Sequence, residues 1–262
     1  MAREPIEIGT LSFAKNGLRM ELPAERRVEI ILGCIQLYRP SLLVTAGYAI
    51  DTIQHLTDLS RSVRRIDHSL AVVAEVHHET AVKLGDPTKH ALWMISGPSG
   101  SLHRFGSQAF GMAEEVPSKE CGAATKLRLQ LPDRIARFDD YTLFGLICGE
   151  INILQGRHNP RFVCPDAKAA IRSADIIVSP THDRMGNGGT LRAKRAVLSA
   201  KHKGRDRVYI SCSNWDVSGS ERGRQRPSRT LHTVYRSGEP MLFRELANGA
   251  DGFVYRRWQI EL

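Results

Sequence analysis

The segment Thr142-Leu143-Phe144-Gly145-Leu146-Ile147 is a nearly unbroken apolar run that stops at Cys148-Gly149-Glu150. It is too short for a free-standing helix and ends in turn residues, so it reads as a buried strand. A buried strand has to be covered by other layers, which commits the chain to a packed, layered fold. A cysteine at the tip of such a strand can sit on a sharp turn with its sulfur facing a cleft. The Gly149 N–H just beyond the turn could then stabilise a developing oxyanion. Cys148 is therefore a candidate nucleophile. The alternative is a buried structural cysteine, since free cysteine is among the most buried residue types.

The rest of the sequence supplies the layers. Strands are predicted at Ile6–Phe13, Ser41–Gly47 and Leu70–Val76, with helices between them from Pro23 to Pro40 and from about Asp51 to Ile66. Ala91–Ser96 and Ser101–Phe105 flank Gly97-Pro98-Ser99-Gly100 and read as a hairpin. Phe110–Thr125 reads as a long loop, and Leu127–Leu131 as a further strand. Beyond Cys148, a helix at Asp166–Ser173, a strand at Ala174–Pro180, a loop at Gly186–Gly189 and a helix at Leu191–His202 follow. Strands at Arg207–Ser213, Leu231–Tyr235 and Phe253–Leu262 complete the order. This alternation predicts α/β layers, with helices covering sheets. No linker divides the chain.

Composition narrows the class. With 262 residues the chain can bury a substantial core. No apolar run approaches the roughly 20 residues that span a bilayer, and the N-terminus lacks a signal-like stretch, so the expected location is the cytoplasm. The five cysteines, Cys34, Cys121, Cys148, Cys164 and Cys212, are odd in number and widely spaced. That argues against a disulfide framework or a structural zinc site. His77-His78 does not make a metal site, because adjacent strand residues face opposite sides. The net charge of +9 admits nucleic acid as a partner, but a solvated basic face or a pocket for an anionic substrate explains it as well. Nucleic acid is not the expected partner.

The order of motifs resembles the nitrilase (carbon–nitrogen hydrolase) superfamily over nearly the whole chain. Ile147-Cys148-Gly149-Glu150 resembles the family's I-C-x-[DE] nucleophile motif, and Ala174–Pro180 its later A-D-I-I strand. Arg195-Ala196 through Val208-Tyr209-Ile210 to Asn214 resembles its helix–strand unit. Ser99–Leu102 resembles the turn before the family lysine, and Met112–Pro117 its G-E-Y-V-P loop. The resemblance implies one domain over residues 1–262 with a four-layer α-β-β-α sandwich. It also implies a homodimer or higher homo-oligomer and no cofactor or metal. The implied chemistry is attack by Cys148 on a carbonyl or nitrile carbon, with a glutamate as base and a lysine supporting the oxyanion.

Two members of that triad are replaced. Aligning Thr45–Ile50 with the family's glutamate strand puts Gly47 where the acid stands, and the lysine position falls on or near Gln108. Substitute acids are Glu114 or Glu115, at the family's additional loop glutamate, and Glu150. Lys126 lies too close to the nucleophile strand to be the family lysine, while His103 or Arg104 could bring positive charge to the cleft. His182 falls where the family lines its substrate pocket, and either contacts substrate or caps a loop. Trp215 either walls the pocket or packs in the core. The resulting expectation is a thiol-dependent hydrolase of a small amide, nitrile or carbamoyl compound. The alternative is a nitrilase-fold binding or scaffold protein that has lost catalysis.

Overall fold

The computed structural model describes residues 5–17, 19–66, 68–76, 90–97, 99–111, 116, 122–182, 188–218 and 227–262. The chain opens with β1 (Ile6–Asn16), β2 (Arg19–Met20), α1 (Ala24–Tyr38), β3 (Leu42–Thr45), α2 (Ile53–Val63) and β4 (Leu70–Val76). β5 (Ala91–Gly97), β6 (Ser101–Ser107), α3 (Gly122–Gln130), β7 (Ile135–Arg137) and β8 (Thr142–Gly145) follow, then a 3-10 turn at Cys148–Ile153. Next come β9 (Leu154–Gln155), β10 (Arg161–Phe162), α4 (Pro165–Ser173), β11 (Ile176–Thr181), α5 (Gly188–Ser199) and β12 (Val208–Ser213). The chain closes with β13 (Trp215–Asp216), β14 (His232–Arg236), β15 (Glu239–Pro240), β16 (Arg244–Asn248) and β17 (Phe253–Ile260).

Two large sheets carry these strands. One runs β16-β17-β1-β3-β4-β5-β6, with β2 and β13 added at the end of β1; the other runs β15-β14-β12-β11-β8-β7. At the centre of the first sheet β1, β3 and β4 are parallel, joined through α1 and α2. At the centre of the second β8, β11 and β12 are parallel, joined through α4 and α5. Such crossovers place a helix on one face of each sheet.

The period of the strands sets the layers. Leu42 and Val44 of β3, with Ala71 and Val73 of β4, face Ile176 and Val178 of β11 and Val208 and Ile210 of β12 in one core between the sheets. The intervening Leu43, Val72 and Ala74 point the other way, onto Ile31, Ile35, Leu56 and Leu59 of α1 and α2. Ile177 and Tyr209 do the same on the second sheet, meeting Ala167, Ile171, Leu191 and Leu198 of α4 and α5. Side chains alternate across a strand, so both faces of each sheet are apolar and each needs its own cover. The result is the α-β-β-α sandwich.

Local signals place the helix ends. Thr52 caps α2 by accepting from His55 N at 3.1 Å, and Pro165 stands in the first turn of α4. The hairpin between β5 and β6 turns at Gly100, whose φ of +62° and crowding against Arg64 suit only glycine.

One predicted element changes type. Leu127–Leu131 lies not in a strand but largely in α3, which ends at Gln130. Its leucines at every second position mimic a strand, yet Leu127 is fully buried while Leu129 is 73% exposed. The leucine packed with Leu127 on the covered side is Leu131, four residues on, which is helical spacing. Among the described residues no helix is long and apolar enough to cross a membrane.

Candidate active site

The carboxyl ends of the parallel strands of both sheets converge. Gly47 follows β3, Glu75 is the penultimate residue of β4, Cys148 follows β8, His182 follows β11, and Asn214 follows β12. Loops at this end of parallel strands are where α/β sheets place their ligands. Backbone and side-chain bonds join the two sheets here. Gly47 N donates to Thr181 O at 3.0 Å, and Asn214 Nδ2 donates to Gly47 O at 2.6 Å. Phe13 N donates to Asn214 Oδ1 at 3.0 Å, tying the same asparagine to β1.

Cys148 sits half-buried on a tight turn with φ of +41°, in the left-handed region that non-glycine residues rarely adopt. Strain of this kind persists only where the surroundings enforce it. Glu150 supplies the enforcement. Its Oε2 accepts from Ile147 N at 2.8 Å and from Arg134 Nη1 at 2.7 Å. Its Oε1 accepts from Ala109 N at 2.6 Å and Arg134 Nη2 at 2.9 Å. Both side chains are fully buried. Gly149 lies against the Gly111 carbonyl, where a Cβ would overlap it.

Beside the cysteine stands a second acid. Glu75, fully buried, accepts from His182 Nε2 through Oε1 at 2.6 Å, and His90 Nδ1 lies 2.9 Å from the same oxygen. The Cys148 sulfur is close enough to His182 to act on its charge. Burial favours the neutral form of Glu75, but His182 and His90 overcome it and hold the carboxyl down at about 2. Burial likewise disfavours charge on His182, yet Glu75 and the neighbouring Cys148 win and push it up to about 10. At neutral pH the row is therefore a carboxylate, an imidazolium and a cysteine sulfur. Tyr48, itself at φ of +61°, stacks on the His182 ring at 4.4 Å between centroids.

The packing around Gly47 leaves no place for a side chain there. A Cβ there would overlap His182 Cδ2 and lie 3.1 Å from Glu75 Oε2. The space that a side chain at this position would need is filled by the imidazole and carboxylate of two other strands. Gly47→Ala should therefore displace His182, whose backbone neighbour is pinned to Gly47. We expect a stability loss of about 1–3 kcal/mol in denaturant unfolding, as for other overpacked sites. The alkylation rate of Cys148 should fall with it by about tenfold or more, since geometry at the reacting atoms is lost.

The remaining sequence candidates fall as follows. Glu114 and Glu115 lie outside the described residues, as does His77-His78. Glu150 turns its carboxylate to Arg134 and the backbone, so it positions the turn and is not aimed at the sulfur. Gln108 spans a bend, its Nε2 donating to Phe110 O at 3.1 Å and its N–H to His90 O at 2.8 Å. Trp215 packs with Ala14, Leu231 and Val254, the core alternative of its two readings. His103 bonds Asp133 O, and Arg104 bonds Ser107 Oγ. Lys126 is carried on α3. Glu75 and His90 are absent from the sequence candidates. Glu75 had a signal, as the lone charged residue in the apolar strand Leu70–Val76; His90 had none.

No family model matches this sequence, and no curated protein does. Solved structures match in fold. The glutamine-dependent NAD(+) synthetase from Cytophaga hutchinsonii superposes with a TM-score of 0.56 at 11% identity, over 98% of this chain and 43% of that one. The NitFhit protein of C. elegans gives 0.53 at 9% identity, over 100% and 62% of the two chains. XC1258 from Xanthomonas campestris, a CN-hydrolase superfamily protein with an arsenic adduct in its active site, gives 0.52 at 7% identity, over 99% and 91%. The chain thus spans less than two thirds of the synthetase and of NitFhit. Its fold is that of the nitrilase, or carbon–nitrogen hydrolase, superfamily.

Proposed function

We propose that this chain hydrolyses a non-peptide C–N bond in a small amide, nitrile or carbamoyl compound, using Cys148 as nucleophile and a histidine–glutamate pair in place of the family's glutamate and lysine. The observation that carries this reading is the row Cys148–His182–Glu75 at the carboxyl ends of three strands from two sheets. A thiolate is the reactive form of cysteine, and an adjacent imidazolium favours it.

For an amide the steps balance as follows. The Cys148 sulfur bonds to the carbonyl carbon, and the carbonyl electrons move to oxygen, where the Gly149 N–H is the proposed donor. The C–N bond then breaks as His182 gives its proton to the departing nitrogen, leaving a thioester on Cys148. His182, now neutral, takes a proton from water, whose oxygen attacks the thioester. The C–S bond breaks, releasing the acid and restoring the thiolate–imidazolium pair. Glu75 keeps the ring oriented and charged throughout, as the buried acid does in a serine–histidine–aspartate triad. The missing glutamate and lysine were the ground for the scaffold alternative. Glu75 and His182 offer an acid and a cation in their stead, which favours the enzyme.

The test is selective alkylation. Cys34, Cys164 and Cys212 are buried, and burial pushes the Cys34 thiol up to about 12 and that of Cys212 higher still. Iodoacetamide in chelator-treated buffer at pH 7 should label Cys148 about tenfold faster than these three or more, read by peptide mass spectrometry. A panel of amides and nitriles should leave an acyl or imidoyl mass on the wild type and none on Cys148→Ala. Equal, slow labelling of all described cysteines would overturn the proposal.

A further inference from the structure

We propose that Glu75, His90 and His182 form a binding site for one zinc-class divalent cation, and that the ion, when bound, silences Cys148. One ligand atom from each of the three residues lies within 4.8 Å of the other two. His182 Nε2 and His90 Nδ1 lie 2.6 and 2.9 Å from the same Glu75 oxygen. Ligand atoms around a tetrahedral zinc stand roughly 3.3 Å apart, given bonds of about 2.0–2.1 Å. Opening the two contacts by less than about 1 Å would admit the ion.

A second observation points the same way. Glu75 Oε2 is buried and has no hydrogen-bond partner among the described residues. An orphaned carboxylate oxygen at full burial is costly unless something else binds it. It faces Gly47, where a Cβ would stand 3.1 Å away. Two imidazoles and one carboxylate are the donor set of an open zinc site, with room for water in the fourth position. Imidazole donors favour zinc, cobalt or nickel over magnesium or calcium.

The cation site stands on this geometry alone; the silencing of Cys148 rests also on the role proposed for His182. With Nε2 on the metal, His182 could hold a proton only on its other ring nitrogen and so could not be an imidazolium, and Glu75 would exchange its bond to the ring for one to the ion. The ion would thus remove the imidazolium beside the sulfur without touching the sulfur itself.

Cobalt(II) added to the full chain, freed of metal by chelator, is the direct probe. We expect one ion per chain with ligand-field absorption in the visible, and X-ray absorption showing a nitrogen and oxygen shell without sulfur. His90→Ala should weaken binding about tenfold to a hundredfold. Absence of saturable binding, a sulfur-containing shell, or unchanged affinity in a folded His90→Ala would each overturn the site. The X-ray absorption measurement uses only the wild type, so it decides even if the variant does not fold. Zinc should also slow Cys148 alkylation in proportion to occupancy, and excess chelator should restore the rate. Fast alkylation in metal-free buffer that zinc leaves unchanged would refute the silencing alone; slow alkylation without any metal would refute the proposed hydrolase instead.

Discussion

His182→Asn will cut the rate of Cys148 alkylation at pH 7, and any C–N hydrolysis with it, by about a hundredfold or more, the usual scale for losing a positioned acid–base group. Asparagine roughly matches the imidazole in size and keeps a hydrogen-bonding group, but it cannot hold a proton between Glu75 and the sulfur. The reading to compare is the rate at Cys148 against a buried cysteine in the same sample. If the variant folds and labels Cys148 at the wild-type rate, the histidine has no part in activating the thiol. Glu75→Gln should give the same direction with a smaller effect, because His182 would keep its place and lose only the charge that holds it protonated.

The same pair predicts how stability depends on pH. His182 is raised from 6.5 to about 10 in the fold, so the native state binds the extra proton between those values. Its stabilising contribution is complete below about pH 6.5 and disappears as pH rises through about 10. Glu75 is lowered from 4.5 to about 2, so its contribution is complete above pH 4.5 and is lost on acidification toward 2. The stability gap between wild type and His182→Asn should therefore be widest between pH 4.5 and 6.5 and narrow toward pH 10. Urea unfolding at pH 5.5 and at pH 9.5 checks this; a gap that grows with pH would contradict the charge state assigned to the ring.

The layers were legible because each central strand alternates between two apolar covers. Leu42 and Val44 against Leu43, or Ala71 and Val73 against Val72, leave little freedom in which face meets which layer. The turn at Cys148 was legible for a related reason, since an apolar run that stops at Cys-Gly reads as a buried strand ending in a turn. The Glu75–His182 pair was not, because its members come from separate strands that only the packing of two sheets brings together. His182 shows position without role: its place after β11 marks it as a pocket residue, while its partner Glu75 lies 107 residues away. Gly47 reads in the sequence as a missing acid, whereas in the fold it is the space another acid and a histidine occupy. Leu127–Leu131 failed for want of length, since leucines at every second place over five residues satisfy a strand and, at the first and last, a helix as well.

Glu150→Gln will destabilise the protein by about 3–5 kcal/mol, because it leaves the fully buried Arg134 guanidinium without its counter-charge. Arg134 also donates to Ser107 O at 2.6 Å and Gly145 O at 3.3 Å, so one guanidinium ties the end of β6 in one sheet to β8 in the other. The glutamate in turn holds Ile147 N and Ala109 N, which fixes the strand end from which Cys148 enters its left-handed turn. Loss of the acid should therefore appear twice: as a lower denaturant midpoint with unchanged slope, and as slower alkylation of Cys148 in the fraction that remains folded. Arg134→Ala should cost a similar amount by stranding the carboxylate. The double replacement Arg134→Met with Glu150→Leu removes both charges and refills most of the volume. It should cost less than the sum of the single changes, with a coupling of about 0.5–3 kcal/mol, as for other contacting pairs. Stability could then largely return while the Cys148 turn, deprived of its two acceptors, stays unreactive. That separation would mark the buried pair as the support of the nucleophile's strained backbone. Additive costs in the cycle, or full reactivity in the double variant, would show that the turn holds its shape without it.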